Sequence, residues 1–276
     1  YGSYVDWGSV EFLSDSGRQD LSEAIDPDGD PVTDGVLFDY VSTSGGGYYS
    51  FDSDPTQSTM APLTGYWVHV LKDATLIVYN TGSTTASTKT ERQSTSRASA
   101  QSSPPSASRW TLQLKAVAGK YEDPANYLGV AAAATAGYDV GLDVAEPPAL
   151  VDTLRLYMPA SEGNLAKDVR SAVSARQTWE VSVSCRLADT PVTVSWPSLN
   201  SSVPRGVSLR LVDQDSGSSV YMRTTTGYTF TMAEAGVRHL QVVADVATSN
   251  ALVVSGVSAA AMASGQTVFA YTVSRE

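Results

Sequence analysis

The chain has 276 residues, of which 42% are hydrophobic and 17% charged, a composition that suits a folded protein and not a disordered one. Its formal net charge of −11 argues against nucleic acid as a partner, because phosphate binding needs clustered Lys and Arg. No apolar run reaches the ~18 residues of a membrane-spanning helix, and a single cysteine excludes an intrachain disulfide.

The length leaves room for two domains. Residues 1–80 hold short β-type runs at Val10 to Leu13, Val36 to Val41, Tyr48 to Phe51, Tyr66 to Leu71 and Ala74 to Tyr79. Gly45-Gly46-Gly47 and Lys72-Asp73 punctuate them as turns, and Leu21 to Ile25 has room for one helical turn. This pattern predicts a small β domain. Residues 81–108 are dominated by Ser, Thr and Ala, with Pro104-Pro105 and no large hydrophobe. Such a segment cannot bury enough apolar area to offset its ordering entropy, so it reads as a linker.

Residues 109–248 form the larger predicted domain. Trp110, Leu112 and Leu114 alternate as an opening strand. The clearest signal follows at Trp179 to Leu187, where Trp179, Val181, Val183, Cys185 and Leu187 share one side and Glu180, Ser182, Ser184 and Arg186 the other. Val192, Val194 and Trp196 repeat the alternation after a turn at Asp189 and Pro191. Further runs at Leu154 to Tyr157, Val207 to Val212, Val220 to Met222, Tyr228 to Met232 and Val237 to Val243 bring the total to about eight strands, the number of an immunoglobulin-like sandwich. Ala116 to Ala149 is poor in strand formers and reads as an excursion over one end. Residues 249–276 add two candidate strands, Leu252 to Val257 and Thr267 to Val273. The expected fold is all-β: two antiparallel domains joined by a linker, with a C-terminal strand extension.

Candidate sites are few. Asp26, Asp28, Asp30 and Asp34 resemble a calcium loop, in which alternate carboxylates converge on a hard cation. Leu37 stands where the bidentate glutamate belongs and prolines replace two spacers, so the same residues also suit a polar turn; calcium is the one cofactor they suggest. Tyr48, Tyr49, Tyr66 and Trp67 lie close in sequence and suit either a glycan-stacking face or the core of a small domain. His69 and His239 are the only histidines, too few to favour a zinc site or a catalytic triad. No nucleophile elbow, zinc-protease or phosphate-loop motif occurs, and Asp213 with Asp215 suits a hairpin turn better than glycosidase chemistry. Cys185 falls on a dry strand face, as a core residue. Asn200-Ser201-Ser202 matches the glycosylation pattern.

Val5-Asp6-Trp7-Gly8-Ser9-Val10 and Leu63-Thr64-Gly65-Tyr66-Trp67-Val68 together resemble a module found near the C-termini of large secreted bacterial proteins. Gly137-Tyr138-Asp139, Glu146-Pro147-Pro148 and Thr178-Trp179 through Trp196-Pro197 resemble the immunoglobulin-like region that follows it. Leu252 to Glu276 resembles the first strand of an immunoglobulin-like domain of flagellar hook-capping proteins. The resemblance implies a non-catalytic part of an extracellular or cell-surface protein. It also implies that the first module lacks an opening strand while the tail carries a spare one.

The resulting expectation is a structural protein without catalysis that joins copies of itself by β-strand addition into a filament or surface layer. Thr267, Val268, Phe269, Tyr271 and Val273 would form the assembly strand. A non-catalytic accessory region of a larger secreted enzyme and a carbohydrate-binding or adhesive module are the alternatives.

Overall fold

The computed structural model describes residues 4–42, 48–51, 58–79, 106, 108–149, 152–172, 176–246, 252–261 and 267–275. Of the Ser/Thr-rich segment 81–108, only Ser106 and Ser108 fall within them. The chain is nearly all β and divides into two compact units, Tyr1–Tyr40 with Phe51–Pro105 and Val41–Ser50 with Ser106–Glu276.

Among the described residues, eight strands precede residue 80: β1 (Val5–Asp6), β2 (Glu11–Ser14), β3 (Gly17–Asp20), β4 (Thr33–Val41), β5 (Tyr48–Phe51), β6 (Thr59–Met60), β7 (Tyr66–Val70) and β8 (Thr75–Ile77). The core of the first unit gathers around Trp7, whose indole donates to the Gly35 carbonyl at 2.7 Å and meets Phe12 edge-on. Val10, Leu21, Ala24, Val32 and Leu37 complete it. The helical turn expected near Leu21 is α1 (Leu21–Ala24), closed by a capping box in which Asp20 accepts from the Glu23 amide and Glu23 from the Asp20 amide. Between Thr33 and Leu37 the pairing of β4 with β7 shifts register. Gly35 sits in that bulge at φ +79, and a Cβ there would come within 2.5 Å of Ile25, so only glycine fits.

The second unit is a sandwich. Its strands are β9 (Trp110–Ala118), β10 (Tyr121–Ala131), β11 (Val144–Ala145), β12 (Leu154–Ala160), β13 (Gly163–Ser171), β14 (Arg176–Cys185), β15 (Thr190–Ser195), β16 (Val207–Asp213), β17 (Ser219–Tyr221), β18 (Gly227–Met232) and β19 (Gly236–Val246), with α2 (Leu199–Ser202) between β15 and β16. They follow one hydrogen-bonded path, β17-β16-β19-β14-β12-β13-β10-β9-β15-β18, with β11 beside β13. Strand β12 joins the two halves of that path: Leu154–Tyr157 pair with β14, and Met158–Ala160 turn to β13. Folding at β12 brings the apolar faces of the halves together, and Trp110 of β9 meets Trp179 of β14 at 5.6 Å between ring centroids. Trp110, Leu112, Leu114, Trp179, Val181, Val183, Cys185, Val192, Val194 and Trp196 are all buried, as their alternation predicts.

Two strands depart from expectation. The excursion read over Ala116 to Ala149 is replaced over Tyr121–Ala131 by a long strand paired to β9. A bulge at Asp123–Asn126, with Pro124 inside it, interrupts the alternation there and hides the strand from a periodicity reading. Gly129 lets this strand close on β9, since a Cβ would lie 2.6 Å from the Trp110 carbonyl. Strand β13 runs parallel to β10, and its sequence Gly-Asn-Leu-Ala-Lys-Asp-Val-Arg-Ser shows no period of two.

Beyond the sandwich, β20 (Leu252–Ala261) and β21 (Thr267–Arg275) pair antiparallel as a separate two-stranded sheet. The strand read as spare has a partner within its own chain.

Candidate functional site

Strand β21 takes Val, Phe, Tyr and Thr at consecutive or alternate positions, all residues that suit a pleated, half-buried surface. Its partner β20 is weaker, with Gly256 and a run of alanines, and the register shifts between Ser255 and Ser258. The bulge therefore lies on β20 and leaves β21 a straight nine-residue edge. Phe269 is 64% exposed and Tyr271 62%, and two residues apart they share one face of the strand. Val268 and Val257 are exposed as well. Across the ladder Phe269 faces Ala259 and Val268 faces Ala260, partners too small to cover them. The backbone of Val273 continues the strand; its side chain lies outside the described residues.

The aromatic group that suits either a stacking face or a core is split. Tyr66 and Trp67 are neighbours on β7 and point to opposite sides. Tyr66 packs with Val68 on the core of the first unit, and its hydroxyl accepts from the Ala61 amide at 2.7 Å. Trp67 packs on Phe38 and lies parallel to His69, the ring centroids 5.8 Å apart and the planes 3° from parallel. Tyr49 is half-buried on β5, and the side chain of Tyr48 lies outside the described residues.

The four aspartates of the acidic run also go separate ways. Asp26 accepts from the Asp28 amide at 3.0 Å, as an Asx turn does. Asp30 pairs with Lys72 and takes the Ser16 hydroxyl, and these partners hold its carboxyl below the ordinary range. Asp34 is drawn inside by the β4 bulge, accepts from the Val36 amide and pairs with His69 Nδ1 at 3.0 Å. That contact raises the His69 pKa against the opposing effect of burial. Among the described residues, no three His, Cys, Asp or Glu side chains group closely enough to hold a metal ion.

Three polar clusters brace the sandwich, and periodicity gave no signal for two of them. Asp123, in the β10 bulge, accepts from the Leu156 amide at 2.7 Å and from Asn126 at 2.8 Å. It thus ties the irregular stretch to β12. Burial pushes its carboxyl up; burial and the Asp123 charge push Glu146 up, with Arg155 opposing at 3.1 Å. Asp143 accepts from the Val169 and Asp139 amides, each at 2.7 Å, and pins the loop before β11 onto β13. Burial pushes it up to about 7 against those two bonds. Asp213 caps its own turn through the Asp215 and Ser216 amides, pairs with Arg238 and accepts from the Tyr228 hydroxyl. Each carboxylate is tied to backbone or to a cation of the fold and so braces it. Asn200 of the glycosylation pattern is exposed on α2 and accepts from Arg223 at 3.2 Å.

The chain matches no family model, no curated protein and no solved structure.

Proposed function

We propose that this chain is a structural subunit, with no catalytic role, that associates with copies of itself through the β20–β21 hairpin in an extracellular or cell-surface setting. The observation that carries the reading is the hairpin's exposure. Two strands pair only with each other among the described residues while presenting Val257, Val268, Phe269 and Tyr271 to solvent. A lone two-stranded hairpin is marginal in water, and its outer edges offer unpaired N–H and C=O groups along with apolar side chains. Addition of another chain's strand satisfies both. The extracellular setting rests on the likeness of the Trp7 and Trp179 segments to secreted bacterial modules, within an immunoglobulin-like reading of the sandwich.

Electron microscopy of the full chain beside Phe269→Asp/Tyr271→Asp tests this. Filaments or arrays that vanish in the double variant support it; dispersed single particles from both remove it. The parallel Trp67 and His69 rings favour a second reading, a flat platform for a sugar ring. Retention on a polysaccharide that Trp67→Ala abolishes in folded protein supports that role, and equal retention of both proteins, or none, removes it.

A further inference from the structure

The hairpin supplies one edge of such a contact, and the sandwich offers the other. Strand β18, Gly-Tyr-Thr-Phe-Thr-Met, ends the hydrogen-bonded path beyond β15 and contains neither a charge nor a proline. Edge strands are ordinarily blunted by lysine, proline, brevity or a bulge. The opposite end of the path follows that rule, since β17 is only three residues long.

The ladder tells which groups of β18 are unspent. Trp196 N–H donates to the Thr226 carbonyl, and bonded pairs alternate with non-bonded ones along an antiparallel ladder. The even-numbered residues of β18 therefore bond to β15. Thr229 and Thr231 direct their N–H and C=O outward. Pro191 stands opposite Thr231, where a residue without an N–H costs the ladder nothing. The side chains of Thr229 and Thr231 are exposed, while Phe230 and Met232 face the core.

Resting on the self-association reading above, we infer that β18 is the acceptor edge: strand β21 of one copy adds beside β18 of the next and extends its sheet by the hairpin. Charge favours this pairing. Copies of a chain carrying −11 repel, yet β18 and β21 up to Ser274 meet without an acid or a base on either strand. The period of two fixes the facing as well. Phe269 and Tyr271 lie alongside Tyr228 and Phe230, whose rings already pack at 6.0 Å, and Val268 and Ala270 lie on the side of Thr229 and Thr231. Each copy then gives one edge and receives another, a head-to-tail contact that propagates.

The test uses full-length Thr231→Pro, which removes an outward N–H, beside Thr229→Lys/Thr231→Lys, which charges the edge without touching the backbone. Light scattering follows assembly against concentration, with Phe269→Asp/Tyr271→Asp as the donor control. The inference expects wild type to assemble and either edge variant to need at least about tenfold more protein, the effect of one lost hydrogen bond or more at the contact. Should Thr231→Pro fail to fold, the lysine pair decides. Edge variants that assemble like wild type, while the donor control does not, overturn β18 as acceptor and leave hairpin-driven association standing. A monomeric wild type removes both.

Discussion

The Tyr228 hydroxyl donates to the Asp213 carboxylate at 2.6 Å, a bond that ties the strand at one end of the ten-strand path to the last but one at the other. Tyr228 belongs to β18, the last strand on one side, and Asp213 closes β16, the last but one on the other. Arg238 donates to the same carboxylate at 2.5 Å and lies over the Phe230 ring. Burial alone would raise this carboxyl, but Arg238 and Tyr228 outweigh it and hold it at about 2. A depressed folded pKa gives stability that is complete above the unfolded value of about 4 and lost as pH falls through about 2, of the order of 2 kcal/mol here. Denaturant titrations from pH 6 to pH 2 should show that loss in wild type. Tyr228→Phe should lower stability at neutral pH by about 1–3 kcal/mol.

His69 should titrate above the ordinary histidine range because it pairs with the buried Asp34. The pair stabilises the first unit below the unfolded pKa of about 6.5 and ceases to as pH rises through the raised value. In Asp34→Asn, the His69 resonances followed by NMR should titrate lower than in wild type. An unchanged titration would mean that the pair does not form in solution.

Trp179 fills the centre of the sandwich against Trp110. Trp179→Ala should cost about 3–5 kcal/mol in chemical denaturation, the range for large core truncations. Cys185, six residues further along the same face of β14, is fully buried, so a thiol reagent should modify it only at the rate at which the sandwich opens.

Asp143 holds two amides with one carboxylate. Asparagine can accept only one of them and turns an N–H₂ toward the other. Asp143→Asn should therefore destabilise the sandwich by about 1–3 kcal/mol and raise hydrogen exchange at Val169 or at Asp139, whichever amide loses its acceptor.

Strands with strict alternation could be read from the sequence: Trp110 to Leu114, Trp179 to Cys185 and Val192 to Trp196 are buried as their spacing predicts. Strand β10 was hidden because Pro124 and the bulge break its period, and β13 because Asp168 is buried beside Arg170, which donates to it. At the candidate sites, neighbours in sequence are not partners in space. Asp26, Asp30 and Asp34 are close in sequence, but the β4 bulge turns Asp34 to His69, 35 residues away, while Lys72 engages Asp30. Tyr66 and Trp67 part company for the plainer reason that neighbours on a strand face opposite ways. The two C-terminal strands were both visible as β-type runs. Their pairing with each other was not, because the bulge near Gly256 and the alanines after it blur where β20 ends.

Sedimentation velocity of the full chain over a wide concentration range tests self-association most directly. Mass that grows with concentration, and returns to that of a monomer in Phe269→Asp/Tyr271→Asp, is the predicted result. A 29.1 kDa species at every concentration would contradict it.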